Sequence, residues 1–569
     1  MNRTSVFVVF AAACGSPSTL ELGADVGGAS CEIVSVSATV EGTEADVRWS
    51  VEGYPQLLTV GGEDGTLDLR LPAVARDTTF VLRATAEEAT DTVEVSVTAP
   101  ETAADLAAGM VRDCGRFAEG VASGDPGPSS ITLWTRIASE AAGPIELTWE
   151  IDTDGTFSEP RRGTVTVDAS TDYTAVVAVD GLEPATTYFY RFVADGESSV
   201  LGRTRTAPAE AADRLCFAVA SCSSIYSGWF SAYRRIADRA DLDLVIHLGD
   251  YIYDFVDEDE EIRVPDPYPE NPDSLEEWRA RHVYYLADPD LRLARARHPW
   301  FLLWDNHDVE GSATDDYRGS VQAFREFNPI APTSGPADVL YRHLPYGDLA
   351  DVMVIDQLLF RNLDTVGDSE APSILGNPQY IWLTERLSAS TATWRILGNQ
   401  KMFAPFLVPP TISPDGVFDT RSWDGFPEAR RRLYGFLEAQ GIDDNIVLSG
   451  DAHFSVSSDL VDDPTAYDPA TSTTSRGVEF LPTSISRGNF DETLGADLIG
   501  LIEVLAEDIR GRNPHNAYVE LVQHGYGVLD VTQTRVVAEY WYSPILEPSN
   551  EETLGASLTV ERGANRWTR

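Results

Sequence analysis

Five apolar runs in this chain stop on residues that bind metal ions. "AVAS" ends at Cys222, and "LVIHLG" ends at Asp250, with Tyr253 three residues on. "FLLW" runs into Asp305, Asn306, His307 and Asp308. "RILG" ends at Asn399 and Gln400, and "IVLSG" ends at Asp451, with His453 close behind. Thiolate, carboxylate, phenolate, amide oxygen and imidazole are together the donors of a metal centre. One Gly-Asp pair makes an ordinary turn, but five polar strand ends in chain order carry weight. Cys222 itself has three readings at this point: half of a disulfide, a buried filler or a ligand.

The elements that must position these residues are strands feeding one edge of a sheet, where open α/β folds keep their chemistry. Strands are expected at 215–220, 242–250, 300–306, 350–356, 393–399, 445–451 and 478–484. Helices are expected at 228–240, 274–297, 378–390 and 428–440, and a closing strand pair at 525–542. This is an α/β domain with a mixed sheet. The acidic, proline-rich segment 254–273 follows Asp250 directly and reads as an exposed loop or lid.

Two strand-rich modules precede it. Residues 31–100 alternate with period two ("VSVSATV", "TFVLRATA", "TVEVSVTA") and suit a small immunoglobulin-like sandwich. Residues 116–208 form a second sandwich. Its phrase "LEPATTYFYRFVA" is similar to the fibronectin type III corner, with Leu182, Pro184 and Tyr188 in register. A tyrosine there ties its hydroxyl to upstream backbone.

Composition limits partners. Asp and Glu number 91 against 42 Lys and Arg, a net charge of −49. Such repulsion disfavours nucleic acid as a partner and favours solubility. The start, "MNRTSVFVVFAAACGS", has a positive residue, a short apolar run and small residues before a cysteine. It reads as an export signal with a lipoprotein-type box, so residues 1–30 are expected to be signal and linker and Cys14 a lipid anchor. The expected location is a bacterial cell envelope or periplasm. Among the other cysteines, Cys31 and Cys114 are candidates to pair, and Cys216 is expected to be a small buried hydrophobe. Cys222 cannot reach Cys216 along an extended strand, because six residues span about 20 Å and a disulfide needs Cα atoms within about 7 Å.

Gly249-Asp250, Asn306-His307 and Asp451-x-His453 resemble the blocks of the calcineurin-like metallophosphoesterases. "GVASGDP", "LWTR", "ASC", "HLGDYIY", "WDNHDV", "YGDLADVMVID", "GNQ" and "SGDAHFS" resemble more specifically the PhoD-like alkaline phosphatase and phosphodiesterase family. The resemblance runs from about residue 116 to the C-terminus and leaves the first sandwich outside. It implies a four-layer α/β metallophosphoesterase domain over 214–569, and hydrolysis of phosphate mono- or diesters.

The resemblance also implies residue roles. The Gly-Asp-x-x-Tyr spacing at Asp250 and Tyr253 is similar to that of purple acid phosphatases, whose tyrosinate binds ferric iron. Tyr has a pKa of about 10, so only a strongly Lewis-acidic cation holds it as phenolate, and a thiolate suits the same ion. The first ion is thus expected to be Fe³⁺ on Cys222, Asp250, Tyr253 and His453. The second is expected on Asp250, Asn306 and Asp451, whose oxygens suit a hard cation, Ca²⁺ or else Mg²⁺. If the register shifts by one, Asp305 replaces Asn306. His307 is expected to face the substrate and assist the leaving oxygen while hydroxide attacks phosphorus in line. Its alternative is a structural imidazole on Asp305 or Asp308.

His247 is expected in the core by alternation, and His298 and His343 in surface turns. A nucleophilic Cys222 lacks the phosphate-cradling Cys-x₅-Arg loop. The family's Asp-Thr-Arg-x-x-Arg block reads Asp356-Gln-Leu-Leu-Phe-Arg361 here, with Leu358 for the first arginine, so no phosphate-binding arginine is assigned. Two other readings stay open: a phosphodiesterase acting on phospholipid or cell-wall polymer head groups, and a surface binding protein with an inactive enzyme domain.

Overall fold

The computed structural model describes residues 20–22, 26–29, 33–40, 48–52, 59–61, 66–71, 73–74, 78–86, 89–98, 110–112, 115–138, 143–256, 262–264, 271–309, 317–332, 335–361 and 373–569. Cys14, Cys31 and Cys114 lie outside the described residues, as does much of the acidic segment expected as a lid.

Residues 20–98 contribute two four-stranded sheets. Alternation sets their inner faces: Val93, Val95 and Val97 are buried while Thr92, Glu94 and Ser96 are exposed. Phe80, Leu82 and Ala84 are buried on the paired strand. A five-stranded sheet follows, built on Ile145–Asp152 and Thr187–Ala194. At its corner the Glu183 N–H donates to the Tyr188 hydroxyl at 2.9 Å, the tie expected from the Leu182, Pro184, Tyr188 phrase.

Two large sheets carry the rest. The first begins with β1 (Val121–Gly124), β2 (Ser130–Arg136), β3 (Thr174–Asp180), β4 (Arg214–Ala220), β5 (Leu244–His247) and β6 (Pro299–Leu302). The second takes β7 (Arg342–Tyr346), β8 (Ala350–Val354), β9 (Trp394–Gly398), β10 (Asn445–Leu448), β11 (Ser455–Asp459), β12 (Val478–Leu481) and β13 (Asn516–Glu520). The chain then returns to the first sheet with β14 (Gly525–Thr532), β15 (Arg535–Tyr542) and β16 (Thr553–Glu561). The orders are β3-β2-β1-β6-β5-β4-β14-β15-β16 and β7-β8-β9-β10-β12-β11-β13. Both sheets are mixed, with β4, β5 and β6 parallel in one and β8, β9, β10 and β12 parallel in the other. The expected closing pair at 525–542 is β14 and β15, to which the sequence reading did not add β16.

Strand β1 lies parallel beside β6, with Gly124 opposite Trp300. A Cβ at Gly124 would meet the Pro329 carbonyl oxygen at 2.4 Å, so the approach needs glycine. Three strands of the second β-module therefore extend the large sheet, and hydrogen bonding crosses the boundary expected near residue 208.

The parallel strands of the second sheet alternate between two cores. Val352, Val354, Ile396, Ile446 and Leu448 join the cluster that contains Phe217, Val219 and Trp300 of the first sheet. Met353, Ile355, Leu397 and Val447 face the other way, onto Leu383 and Leu387 of α5 (Gly376–Ala389) and Leu433 and Leu437 of α6 (Pro427–Gln440). The first sheet packs with α1 (Ser231–Asp238), α2 (Leu275–Tyr285), α3 (Pro289–Arg297) and α4 (Arg318–Phe327).

The stretch expected as one helix at 274–297 is α2 and α3. Asp288 accepts from the N–H groups of Asp290 and Leu291, and Pro289 opens the new helix. His298, expected in a surface turn, is buried and hydrogen-bonded to the Ile236 carbonyl at 3.0 Å. His343 lies in β7, 3.6 Å from Asp351, and is also not in a turn. Both sit beside charged or proline residues that mimic turn composition. Cys216 and Cys222 are free and buried, and Cys216 lies in the core as expected.

One buried carboxyl fixes the loop after β9. Glu479 on β12 accepts from the N–H groups of Phe403 (2.6 Å) and Ala404 (2.9 Å) and from the Ser449 hydroxyl (2.6 Å). Burial pushes its pKa up from 4.5 to about 7. The folded state holds this proton more tightly than the unfolded chain. Stability is therefore fully present below pH 4.5 and falls as pH rises to about 7, by up to about 3 kcal/mol. Glu479→Gln is expected to flatten this part of the Tm-against-pH curve. An unchanged slope in the variant would refute it.

Candidate metal centre

Every strand-end residue singled out in the sequence lies beyond the C-terminal end of a parallel strand. Cys222 follows β4, Asp250 and Tyr253 follow β5, Asp305 to Asp308 follow β6, Asn399 and Gln400 follow β9, and Asp451 and His453 follow β10. The turns are tight. Cys222, Asp250, Asp451 and His453 all hold positive φ, between 50° and 70° to the nearest ten, which costs non-glycine residues roughly 1–3 kcal/mol each and clusters at functional sites. Gly249 has φ +111°, and a Cβ there would lie 2.6 Å from the Asp305 Cβ. Glycine thus lets the Asp250 and Asp305 loops touch.

Four side chains converge. Cys222 Sγ is 3.8 Å from Asp250 Oδ2, Tyr253 Oη is 3.3 Å from the same oxygen, and Tyr253 Oη is 3.5 Å from His453 Nε2. Ligands of one ion, each about 2.0–2.3 Å from it, stand roughly 3–4 Å apart, so these separations fit a shared cation. The His453 Nδ1 faces the Gly488 carbonyl at 3.1 Å, which sets the tautomer and leaves Nε2 as a donor toward the group. Burial holds the His453 imidazole down to about 3, hence neutral. Burial, reinforced by Asp250, pushes the Cys222 thiol and the Tyr253 phenol well up. Neither ionises there without a cation to compensate it.

Carboxylate oxygens of Asp250, Asp305 and Asp451 form a second cluster, all within 4.8 Å of one another. A residue that no motif marked lies among them. Lys401, after β9, is buried, and its ammonium is 3.0 Å from Asp305 Oδ2, 3.1 Å from Asn306 Oδ1 and bonded to Asp451 Oδ1. Both Asp305 and Asn306 thus face the cluster, and neither register excludes the other. The oxygens expected to hold a second cation are the ones Lys401 uses, so the donor set does not fit that cation.

A family model for the PhoD-like phosphatase matches residues 217–540, and one for the PhoD-like phosphatase N-terminal domain matches residues 101–208. Alkaline phosphatase D of Bacillus subtilis (strain 168) is 32% identical over 487 residues, which cover 78% of this chain and 81% of that protein. The chain belongs to the PhoD-like phosphatase family. A solved structure of PhoD superposes with a TM-score of 0.70 at 30% identity, covering 80% of this chain and 92% of that one. Membership makes this chain a phosphoric ester hydrolase.

In this PhoD-like chain, the alternative reading of His307 as a structural imidazole on Asp305 or Asp308 does not hold. Its Nδ1 lies 2.7 Å from Asp254 Oδ1, not on Asp305 or Asp308. Its ring stacks on Tyr253, with centroids 4.2 Å apart, and its backbone N–H donates to Asp250 Oδ1 at 3.2 Å. Burial pulls the imidazole down, but the Asp250 and Asp254 carboxylates outweigh it and hold the pKa above its ordinary value. Asp308 accepts from the N–H groups of Ile252 and Asp305 and so fixes both loops. His247 is fully buried on Tyr233 at 3.0 Å, as alternation predicts.

Two more residues escaped the motifs. Asp254 opens the acidic segment and looked like loop composition. Arg487 follows β12 and places its guanidinium 5.5 Å from the Tyr253 ring centroid. Leu358, where the family block has arginine, is buried. Asp356 instead joins the sheets, accepting from Trp304 Nε1 at 2.9 Å. The side chains of His307 and Asp451 are 15% and 16% exposed, against 1% for Cys222, Asp250 and Tyr253. The group is thus more open to solvent on the His307 and Asp451 side than at Cys222, Asp250 and Tyr253.

Proposed function

We propose that this chain hydrolyses phosphate mono- and diesters at a centre built on one ferric ion held by Cys222, Asp250, Tyr253 and His453. The observation that carries this reading is the convergence of thiol, carboxyl, phenol and a neutral imidazole on one buried point. A ferric ion bound there supplies Lewis acidity toward water and toward a phosphate oxygen. Soft, low-charge ions do not compensate a phenolate and a thiolate together.

The remaining work falls to the chain itself. His307 holds a proton toward the leaving oxygen from Nε2, because Asp254 holds Nδ1. Tyr253 and Phe255 wall its ring, with centroids 4.2 and 5.0 Å away. Arg487 adds a positive charge beside an anionic substrate. We read the large sheets and their flanking helices as four layers over 214–569, the module at 116–208 as a fibronectin-like sandwich and residues 31–100 as an immunoglobulin-like accessory. The leader-like start supports export with a lipid anchor at Cys14.

The test is turnover by purified protein of bis-nitrophenyl phosphate and nitrophenyl phosphate, with bound metals measured on the same sample. Hydrolysis of at least one ester is expected. Failure on both with iron bound contradicts the reading.

A further inference from the structure

We propose that the Lys401 ammonium is the second positive charge of this centre and stands in place of a second metal ion. An ammonium has three donors, and Lys401 meets three oxygens: Asp305 Oδ2, Asn306 Oδ1 and Asp451 Oδ1. Its hydrogen bonding is complete without solvent or substrate. The residue is 1% exposed, so no route to bulk water competes.

Two features hold the lysine in this position. The Gly450 N–H donates to the Gln400 carbonyl at 2.8 Å, and Gln400 Nε2 donates to the Trp304 carbonyl at 3.0 Å. The backbone just before Lys401 is thereby pinned to the loops that carry Asp451 and Asp305. On the other side, Glu479 holds the N–H groups of Phe403 and Ala404. A divalent cation on the same oxygens would face the buried ammonium, and like charges in a water-poor site repel strongly. The lysine therefore excludes the hard cation expected from the oxygen donors alone. Lys401 is a positioning residue: it fixes Asp305, Asn306 and Asp451 and supplies charge, and all of its donors are spent on those oxygens.

The inference rests on the hydrolase reading of the same centre, and metal stoichiometry separates the two. Mass-spectrometric metal analysis of chelator-washed holoenzyme is expected to give one ion per chain. Calorimetric titration of that protein with Ca²⁺ and with Mg²⁺ is expected to show no stoichiometric site. Lys401→Gln removes the charge and keeps an amide at similar length. It is expected to gain about a hundredfold or more in Ca²⁺ affinity, with the iron chromophore retained as the measure of a native fold, while Lys401→Arg is expected to gain none. Two ions per chain in the wild type would overturn the proposal, and this needs no variant to fold. So would a Lys401→Gln protein that keeps its chromophore and takes up no second cation. An inactive wild type with one ion per chain would fail the hydrolase reading and leave this one standing.

Discussion

Asp250→Asn is expected to release the ion and to lower kcat/KM by on the order of a thousandfold or more. Among the described residues, Asp250 belongs both to the group with Cys222 and His453 and to the carboxylate cluster with Asp305 and Asp451. Its Oδ2 faces Cys222 and Tyr253, and its Oδ1 accepts the His307 backbone N–H. An amide there removes a charge from the ion and points N–H donors at groups that must themselves give up protons. Folding is not expected to suffer equally. A buried carboxylate without its cation is costly to the fold, and burial already pushes the Asp250 carboxyl up. The metal-free variant should therefore melt no lower than the metal-free wild type. Iron content, turnover and the melting temperature of the stripped proteins check the three parts. Full iron and full activity in the variant would refute the role of Asp250 as a ligand.

His307→Gln is expected to reduce kcat by about a hundred- to ten-thousandfold, the range for a positioned general acid. The size should depend on the leaving group. Nitrophenolate departs without a proton, so its esters should lose least, and alkyl phosphates should lose most. Asp254→Asn is expected to follow the same leaving-group trend with a smaller loss, since it disturbs the imidazole only through Nδ1. A uniform loss across leaving groups would point to a role in binding, and an unchanged kcat would return His307 to a structural role. Metal content should stay at the wild-type level in both variants, because neither side chain is among the proposed iron ligands Cys222, Asp250, Tyr253 and His453.

Much of this site was legible because strand ends are punctuated by sequence. Alternation and apolar runs placed β4, β5, β6, β9 and β10, and just beyond four of them a residue, Cys222, Asp250, Asp305 or Asp451, is at the centre. After β9, Asn399 bonds instead to Gln357, Ser449 and Trp423. Gly249 before Asp250 is legible for the same reason, as a backbone approach that admits no Cβ. Cys222 was ambiguous alone and became interpretable once Asp250 and Tyr253 shared its edge.

The residues that were missed lack local pattern. Lys401 follows an expected strand end but reads as an ordinary surface lysine. Only the tertiary fold shows it buried against Asp305, Asn306 and Asp451. Asp254 is one acid among many in an acidic loop, and its role appears only from its place 2.7 Å from the His307 ring. The extension of the first sheet by β1, β2 and β3 was equally hidden. Strand propensity is the same whether a strand closes a sandwich or pairs with β6, and the choice rests on Gly124 opposite Trp300. The split of 274–297 into α2 and α3 was the reverse case: Asp288-Pro289 is a readable helix start that the continuous pattern around it masked.

The most direct test of the central claim is the visible spectrum of the purified protein beside its metal content. Ferric iron on the Tyr253 phenolate should give a purple to violet charge-transfer band with one iron per chain. Tyr253→Phe should abolish the band, and Cys222→Ala should shift it. A colourless, iron-free protein with full activity would contradict the account.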